Sequence, residues 1–291
     1  MNPYTDPYSF FPKLHPQELR GTEGMKVTVI DHSSNPYQAM LTGQGASYRP
    51  WDLSPKKESA LQLLDGIRSG KIWAGQMFEA PTFTFAIENV SRALTHQLVR
   101  VRVGAGFMQE SGREGTWGKC SFITPLTILE NDALHHRYIE MMAEQIELYE
   151  EMKVLGIPPQ DARFEFGHAV AQNMWVTINF AALMNWCNKR LCTTMQWEIN
   201  TLARMIRDEV TKLFPHLGIL LKSTCEKKGG CVMMEAYRNS DMAIYYQPGA
   251  KNNGNKVYFP LEGTLCGKAG ILSEGAVTNL LIAERTKLEM E

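Results

Sequence analysis

The stretch from Trp175 to Cys187 is the most apolar of the chain, and Asn179 and Asn185 break it twice. A bilayer takes about 20 consecutive apolar residues, so this stretch is too short to cross one and is expected inside a water-soluble core. Buried amides are costly unless partnered. Asn179 and Asn185, with Arg190 just beyond, are therefore expected either to cap or bridge helices or to face a ligand held between helices. The chain has 291 residues, 44% hydrophobic and 21% charged, which suits such a core and is far from a disordered composition.

Local patterns predict an α+β fold, a mixed or antiparallel sheet packed with long helices. Residues 25–34, MKVTVIDHSS, suggest a short strand ending in a turn. In PTFTFAIE, residues 81–88, Thr82, Thr84 and Ala86 alternate with Phe83, Phe85 and Ile87, the period of a strand with one buried face. Helices are expected from Pro55 to Ser69, from Ser91 to Val103 with a Gly104–Gly106 loop after it, and from Asn131 to Lys153. The longest is expected from Asp161 into the 210s, broken near Asn185, with Leu191, Met195, Ile199, Leu202, Ile206 and Val210 on one stripe. His135 and His136 are expected on an exposed helix face, and residues 249–255 in a loop. Residues 1–24, with prolines and aromatics but no period, suggest an extension, and 25–291 a single domain.

Charge narrows the function. Thirty Lys and Arg against 31 Asp and Glu leave a formal net charge of −1, unlike a protein that grips nucleic acid through its phosphates. A small anion is still accommodated, because a few clustered arginines vanish in a global sum. The six cysteines are spaced neither as a disulfide framework nor as a zinc site, and reduced thiols are expected. No metal constellation is formed by the seven histidines. The N-terminus has no basic start leading into an apolar run, so a soluble cytoplasmic protein, free of membrane and nucleic-acid partners, is expected.

Two clusters carry the chemistry. HQLVRVRVGAGFMQESGR, residues 96–113, sets Arg100, Arg102 and Arg113 among Gln97, Gln109, Glu110, Ser111 and Gly112. Guanidinium groups with loop amides and hydroxyls suit phosphate oxygens, although any one of these arginines alone reads as a solvated surface residue. NFAALMNWCNKRLCTTMQWEI, residues 179–199, holds Asn179, Asn185 and Arg190. Nucleophile elbows, Walker loops and zinc-protease motifs are absent from the sequence.

In this order, SRALTHQLVRVR (91–102), SGR (111–113), DAR (161–163), NKR (188–190) and QWEI (196–199) resemble the flavin-dependent thymidylate synthases. The similarity runs from about Met25 to about Pro215. It implies that family's fold and a homotetramer with active sites shared between subunits. It implies methylation of dUMP to dTMP, with FAD as cofactor and NADPH and methylenetetrahydrofolate as co-substrates. Gln97, Arg100, Glu110, Ser111, Gly112 and Arg113 would bind the pyrimidine nucleotide, joined by Arg163 from another subunit. Arg100, Arg102, Gln109, Asn179 and Asn185 would contact the flavin. Arg190 would face the pyrimidine ring as the catalytic cation, stabilising the negative charge that develops on activation.

The pattern is also altered. Val101 stands where the motif has its central histidine, and eight residues rather than seven separate Arg102 from Ser111. Ala74 and Ala80 replace two further histidines, and Thr194 a third. These changes fall on the folate and flavin-ring side. They leave open UMP or dCMP as substrate, hydroxymethylation as the reaction, or a nucleotide-binding subunit without turnover.

Overall fold

The computed structural model describes residues 16–45, 75–111, 120–192 and 195–228, together with 62–63, 65–67, 69, 71, 251–253 and 256–258. In chain order its main elements are β1 (Gln17–Arg20), β2 (Lys26–His32), α1 (Pro36–Gly45), β3 (Thr82–Ser91), α2 (Arg92–Leu98), β4 (Ala105–Gln109) and β5 (Ser121–Thr124). There follow α3 (Asp132–Val154), β6 (Ala171–Asn179), α4 (Phe180–Arg190), α5 (Trp197–Leu213), β7 (Lys251–Asn253) and β8 (Lys256–Tyr258). The helix expected at Pro55–Ser69 lies mostly outside the described residues. Its described part is helical and buries Leu63 and Ile67.

The expected mixture of sheet types and long helices is present. One sheet has the order β2-β3-β6-β4, and β1 pairs with β5 in parallel, Gln17 opposite Ser121 and Arg20 opposite Thr124. Strand directions in the first sheet follow from its cross-strand contacts. Ser33 meets Thr82 while Lys26 meets Glu88, and Thr84 meets Thr177 while Asn89 meets Asn173. Asn179 meets Gly104 while Glu110 meets Asn173. In each pair one strand's numbering rises as the other's falls, so neighbours are antiparallel. β7 pairs with β8 antiparallel, Lys251 opposite Tyr258, so residues 251–253, expected in a loop, are strand.

The long helix expected from Asp161 is not one helix. Residues 171–179 are β6, where Gln172, Met174, Val176 and Ile178 are buried and Asn173, Trp175 and Thr177 are exposed. That is a period of two, and it overrides the apolar character that suggested continuous helix. The helix at Ser91 is also shorter than expected. Ser91 caps it, its hydroxyl accepting from the Leu94 N–H at 3.0 Å, and it ends at Leu98. Beyond it, Gly104 at φ +75° turns the chain into β4, so the expected Gly-rich loop is largely strand.

The chain forms two compact units, one of Met1–Lys26, Ala86–Arg100 and Phe107–Val176, the other of Val27–Phe85, Val101–Gly106 and Thr177–Glu291. In the first, α3 starts where the Asn131 side chain accepts from the Leu134 N–H, and it buries Met142, Ile146 and Tyr149. The Tyr149 ring lies 4.6 Å from that of Phe166, over Ala162 and Val170. His135 is not an exposed surface residue: its Nε2 lies 2.6 Å from Glu18 Oε1, so β1 and α3 are joined by a hydrogen bond. His136 is exposed.

The second unit is built on aromatic and aliphatic layers. Phe83, Phe85 and Phe180 are fully buried, with Phe83 and Phe180 rings 6.1 Å apart. In α5, Ile199, Leu202, Ile206 and Val210 form a buried stripe as expected, whereas Leu191 and Met195, expected on the same stripe, precede the helix. Among the described residues no helix is long and apolar enough to cross a membrane, and no group of His, Cys, Asp and Glu could hold a metal ion.

Candidate active site

Asn179 ends β6 and begins α4. Its Oδ1 accepts from the Ala182 N–H at 2.8 Å, the side-chain cap that an apolar helix needs at its N-terminus. Its own N–H donates to the Gly104 carbonyl at 2.8 Å. A Cβ on Gly104 would lie 2.6 Å from Asn179 Nδ2, so this approach and the positive φ both require glycine. Arg102 is exposed just before that turn, and Asn185 is exposed on α4. Arg190 closes α4, where a cation is favoured by the helix dipole. The guanidinium is half-buried and donates to Met195 Sδ at 3.7 Å.

Asn200, a residue that the motifs do not mark, fixes the backbone beneath Arg190. Its Nδ2 donates to the carbonyls of Arg190 at 2.8 Å and Cys192 at 3.1 Å, and its Oδ1 accepts from Arg204 Nε at 2.9 Å. One buried amide of α5 thus satisfies the Arg190 carbonyl at the end of α4, and it shares the Cys192 carbonyl with the Met195 N–H.

In the first unit, Gln97 is half-buried and lends its Nε2 to the Ala93 carbonyl at 3.4 Å. Arg100 and Ser111 are exposed. Arg163 is half-buried, its Nε donating to the Gln160 carbonyl at 3.0 Å. Gln109 Nε2 donates to Oε1 of the buried Gln172 at 2.9 Å. Glu110 accepts two hydrogen bonds from Asn173, at Oε2 from its N–H and at Oε1 from its Nδ2, each 2.9 Å. Gln109 and Glu110 are therefore brought together with adjacent residues of β6. Gly112 and Arg113 lie outside the described residues.

Asn173 and Gln172 escaped sequence reasoning because no motif covers them. Their one local signal is polar residues alternating with Met174 and Val176 along a strand. Burial pushes the Cys187 thiol up to about 12 and the Cys120 thiol up to about 11. Neither is a thiolate at neutral pH, so neither offers an activated nucleophile. Among the described candidate residues, the first unit offers guanidinium, amide and carboxylate groups and the second guanidinium and amide groups. Guanidinium and amide donors suit anionic oxygens, and a carboxylate suits a hydroxyl.

A family model described as thymidylate synthase complementing protein matches residues 28–216. The chain is 36% identical to a flavin-dependent thymidylate synthase of Nitratidesulfovibrio vulgaris over 165 residues, 53% of this chain and 65% of that protein's length. It is 32% identical to one of Clostridium tetani over 223 residues, 68% of this chain and 88% of the relative. Among solved structures, a UMP/dUMP methylase, PolB from Streptomyces cacaoi bound with 5-Br dUMP, shares the fold. The TM-score is 0.58 at 19% identity, covering 70% of this chain and 96% of that one. The same protein bound with 5-Br UMP gives a TM-score of 0.57 at 18% identity, covering 71% and 96%.

Proposed function

The chain belongs to the thymidylate synthase complementing protein family, and on that premise we propose that it methylates C5 of dUMP to give dTMP, with methylenetetrahydrofolate as carbon donor and NADPH as reductant. The observation that carries this reading is Arg190. Its guanidinium is held at the end of α4, and its backbone is clamped by Asn200. A cation fixed at N3 and O2 of a uracil stabilises the negative charge that the ring takes up as C5 becomes nucleophilic.

The donor set fits FAD. Arg100 and Arg102 are exposed and two positions apart, Gln109 and Asn179 add amide groups, and Gly106 has open space around it. We assign Arg100, Arg102, Gln109, Asn179 and Asn185 to the cofactor, with the guanidinium groups on its diphosphate. Bound flavin supplies the hydride that takes the transferred carbon from the methylene to the methyl level. Gln97, Ser111, Gly112 and Arg113 hold the phosphate and sugar of dUMP, together with Arg100 and with Arg163 of another subunit in a homotetramer. Glu110, as a carboxylate, repels phosphate and takes a hydroxyl instead. We place the enzyme in the cytoplasm, with residues 25–291 as its catalytic part and 1–24 as an extension.

UMP is the second reading, favoured by the description of the fold neighbour as a UMP/dUMP methylase. The test is the absorption spectrum of the purified protein, followed by tritium release from 5-labelled dUMP, UMP and dCMP with methylenetetrahydrofolate and NADPH. A flavin spectrum, release from dUMP and a methyl mass gain are expected. Release from UMP or dCMP alone, or a hydroxymethyl product, reassigns the substrate or the reaction. Colourless protein that FAD does not reconstitute, or a bound flavin without turnover, overturns the proposal.

A further inference from the structure

Three polar residues on neighbouring strands form a row in the first unit: Asn89 of β3, Asn173 of β6 and Glu110 just past β4. Asn89 is the one described residue other than glycine with a left-handed backbone, at φ +57°. Its N–H donates to Asn173 Oδ1 at 3.0 Å, and its Nδ2 donates to the Gly24 carbonyl at 2.8 Å. The bond from Asn89 fixes the amide orientation of Asn173. With Oδ1 taken by a donor, Nδ2 must face Glu110, where it meets Oε1. The Asn173 N–H meets Oε2, and the Glu110 N–H returns to the Asn173 carbonyl at 3.2 Å. Both carboxylate oxygens are thus held by one residue, although Glu110 and Asn173 are exposed and 63 positions apart.

A carboxylate oxygen can accept about two hydrogen bonds. Each Glu110 oxygen accepts one from Asn173, which leaves acceptor capacity on the side away from it. In dUMP the donors are N3–H and the 3′-hydroxyl; the ring edge is assigned to Arg190, and the sugar to the cluster that contains Glu110. We infer that Asn173 is a positioning residue that presents the Glu110 carboxylate as the acceptor for the sugar 3′-hydroxyl. This rests on the assignment of Glu110 to the nucleotide. The clamp works by pre-orientation: an unclamped Glu110 side chain must lose rotamer freedom when the nucleotide binds.

The test compares dUMP with 2′,3′-dideoxyuridine 5′-monophosphate, which lacks the hydroxyl, through kcat and KM of the flavin-loaded enzyme. Asn173→Val suits a strand and removes Nδ2 while keeping the backbone N–H. It is expected to raise KM for dUMP by about tenfold, with kcat and the dideoxy KM changed less than about twofold. Glu110→Ala is expected to erase the preference for dUMP, and adding Asn173→Val to it should change nothing further. Asn173→Ser serves if the valine variant does not fold. Equal losses on both nucleotides, or additive losses in the double variant, overturn the inference and leave Asn173 a structural residue. Glu110→Ala that still prefers dUMP overturns instead the assignment of Glu110 on which the inference stands.

Discussion

Gly104 and Asn179 approach so closely that the amide of one occupies the space a side chain on the other would need, 2.6 Å from Nδ2 and 2.7 Å from Oδ1. Two penalties therefore fall on Gly104→Ala: a left-handed backbone for a residue with a Cβ, and a displaced Asn179. The backbone penalty alone is about 1–3 kcal/mol. The variant is expected to lose at least that in urea unfolding and to bind FAD more weakly. Gly106→Ala is the control, since nothing lies within 4 Å of its Cβ position. Equal stability of the two variants rejects the close approach as the reason for glycine at 104.

Asn179 has a structural role, the helix cap, and a proposed one, flavin contact through Nδ2. Two substitutions separate them. Asn179→Asp keeps an oxygen for the Ala182 N–H and adds a charge that the helix N-terminus favours, so its unfolding free energy should match or exceed that of the parent. Asn179→Ala should lose about 1 kcal/mol. Measured by flavin fluorescence, FAD affinity should fall in both. Undiminished affinity in the aspartate variant means that Nδ2 does not contact the cofactor.

These two residues also show how much could be read beforehand. The Phe83, Phe85 and Ile87 alternation of β3 was legible because one face is apolar and the other is not. The capped α3 was legible because a helical period runs from Asn131, a capping residue type, to Lys153. β6 was not, for two physical reasons. Met174, Ile178 and Ala182 recur every four residues, a spacing that both a helix and a strand allow, and Gln172 hides the alternation by being polar and buried. Its burial is tolerable because both ends of its amide are partnered, Oε1 by Gln109 from another strand and Nε2 by the Ala171 carbonyl. The site was partly legible. Arg190 and Asn179 were marked by motifs, and Asn179 proved to be a cap as one of its two readings had it. Asn173 and Asn200 were invisible, because their roles depend on which strands and helices become neighbours.

Acid should loosen the junction between β1 and α3. Burial pushes the Glu18 carboxyl up, but hydrogen bonds, that of His135 first, outweigh it and hold the group below its ordinary value of 4.5. A carboxylate whose pKa is depressed by folding contributes its full stabilisation above the unfolded pKa and loses it as pH falls through the folded pKa. Stability against urea should therefore decline below about pH 4.5, and the decline should be shallower in Glu18→Gln. Identical pH slopes for parent and variant would show that the Glu18 carboxylate is not linked to folding.

Arg190 is expected to act in the transition state rather than in binding. Its proposed target is charge that the uracil ring acquires only on activation, so ground-state dUMP gains little from it. Arg190→Ala should lower kcat and kcat/KM together, by about 10²–10³-fold, while the flavin spectrum stays that of the parent. Arg190→Lys should recover part of the loss, because an ammonium carries the charge without the planar two-donor geometry. Asn200→Asp provides an internal check. It keeps an oxygen for Arg204 but withdraws the donor from the Arg190 and Cys192 carbonyls, so the helix end loosens while the charge remains. Its loss of kcat should be smaller than that of Arg190→Ala and should disappear when combined with it, since a misplaced residue has no cost once its side chain is gone. A raised KM with unchanged kcat in Arg190→Ala would assign the guanidinium to ground-state binding instead.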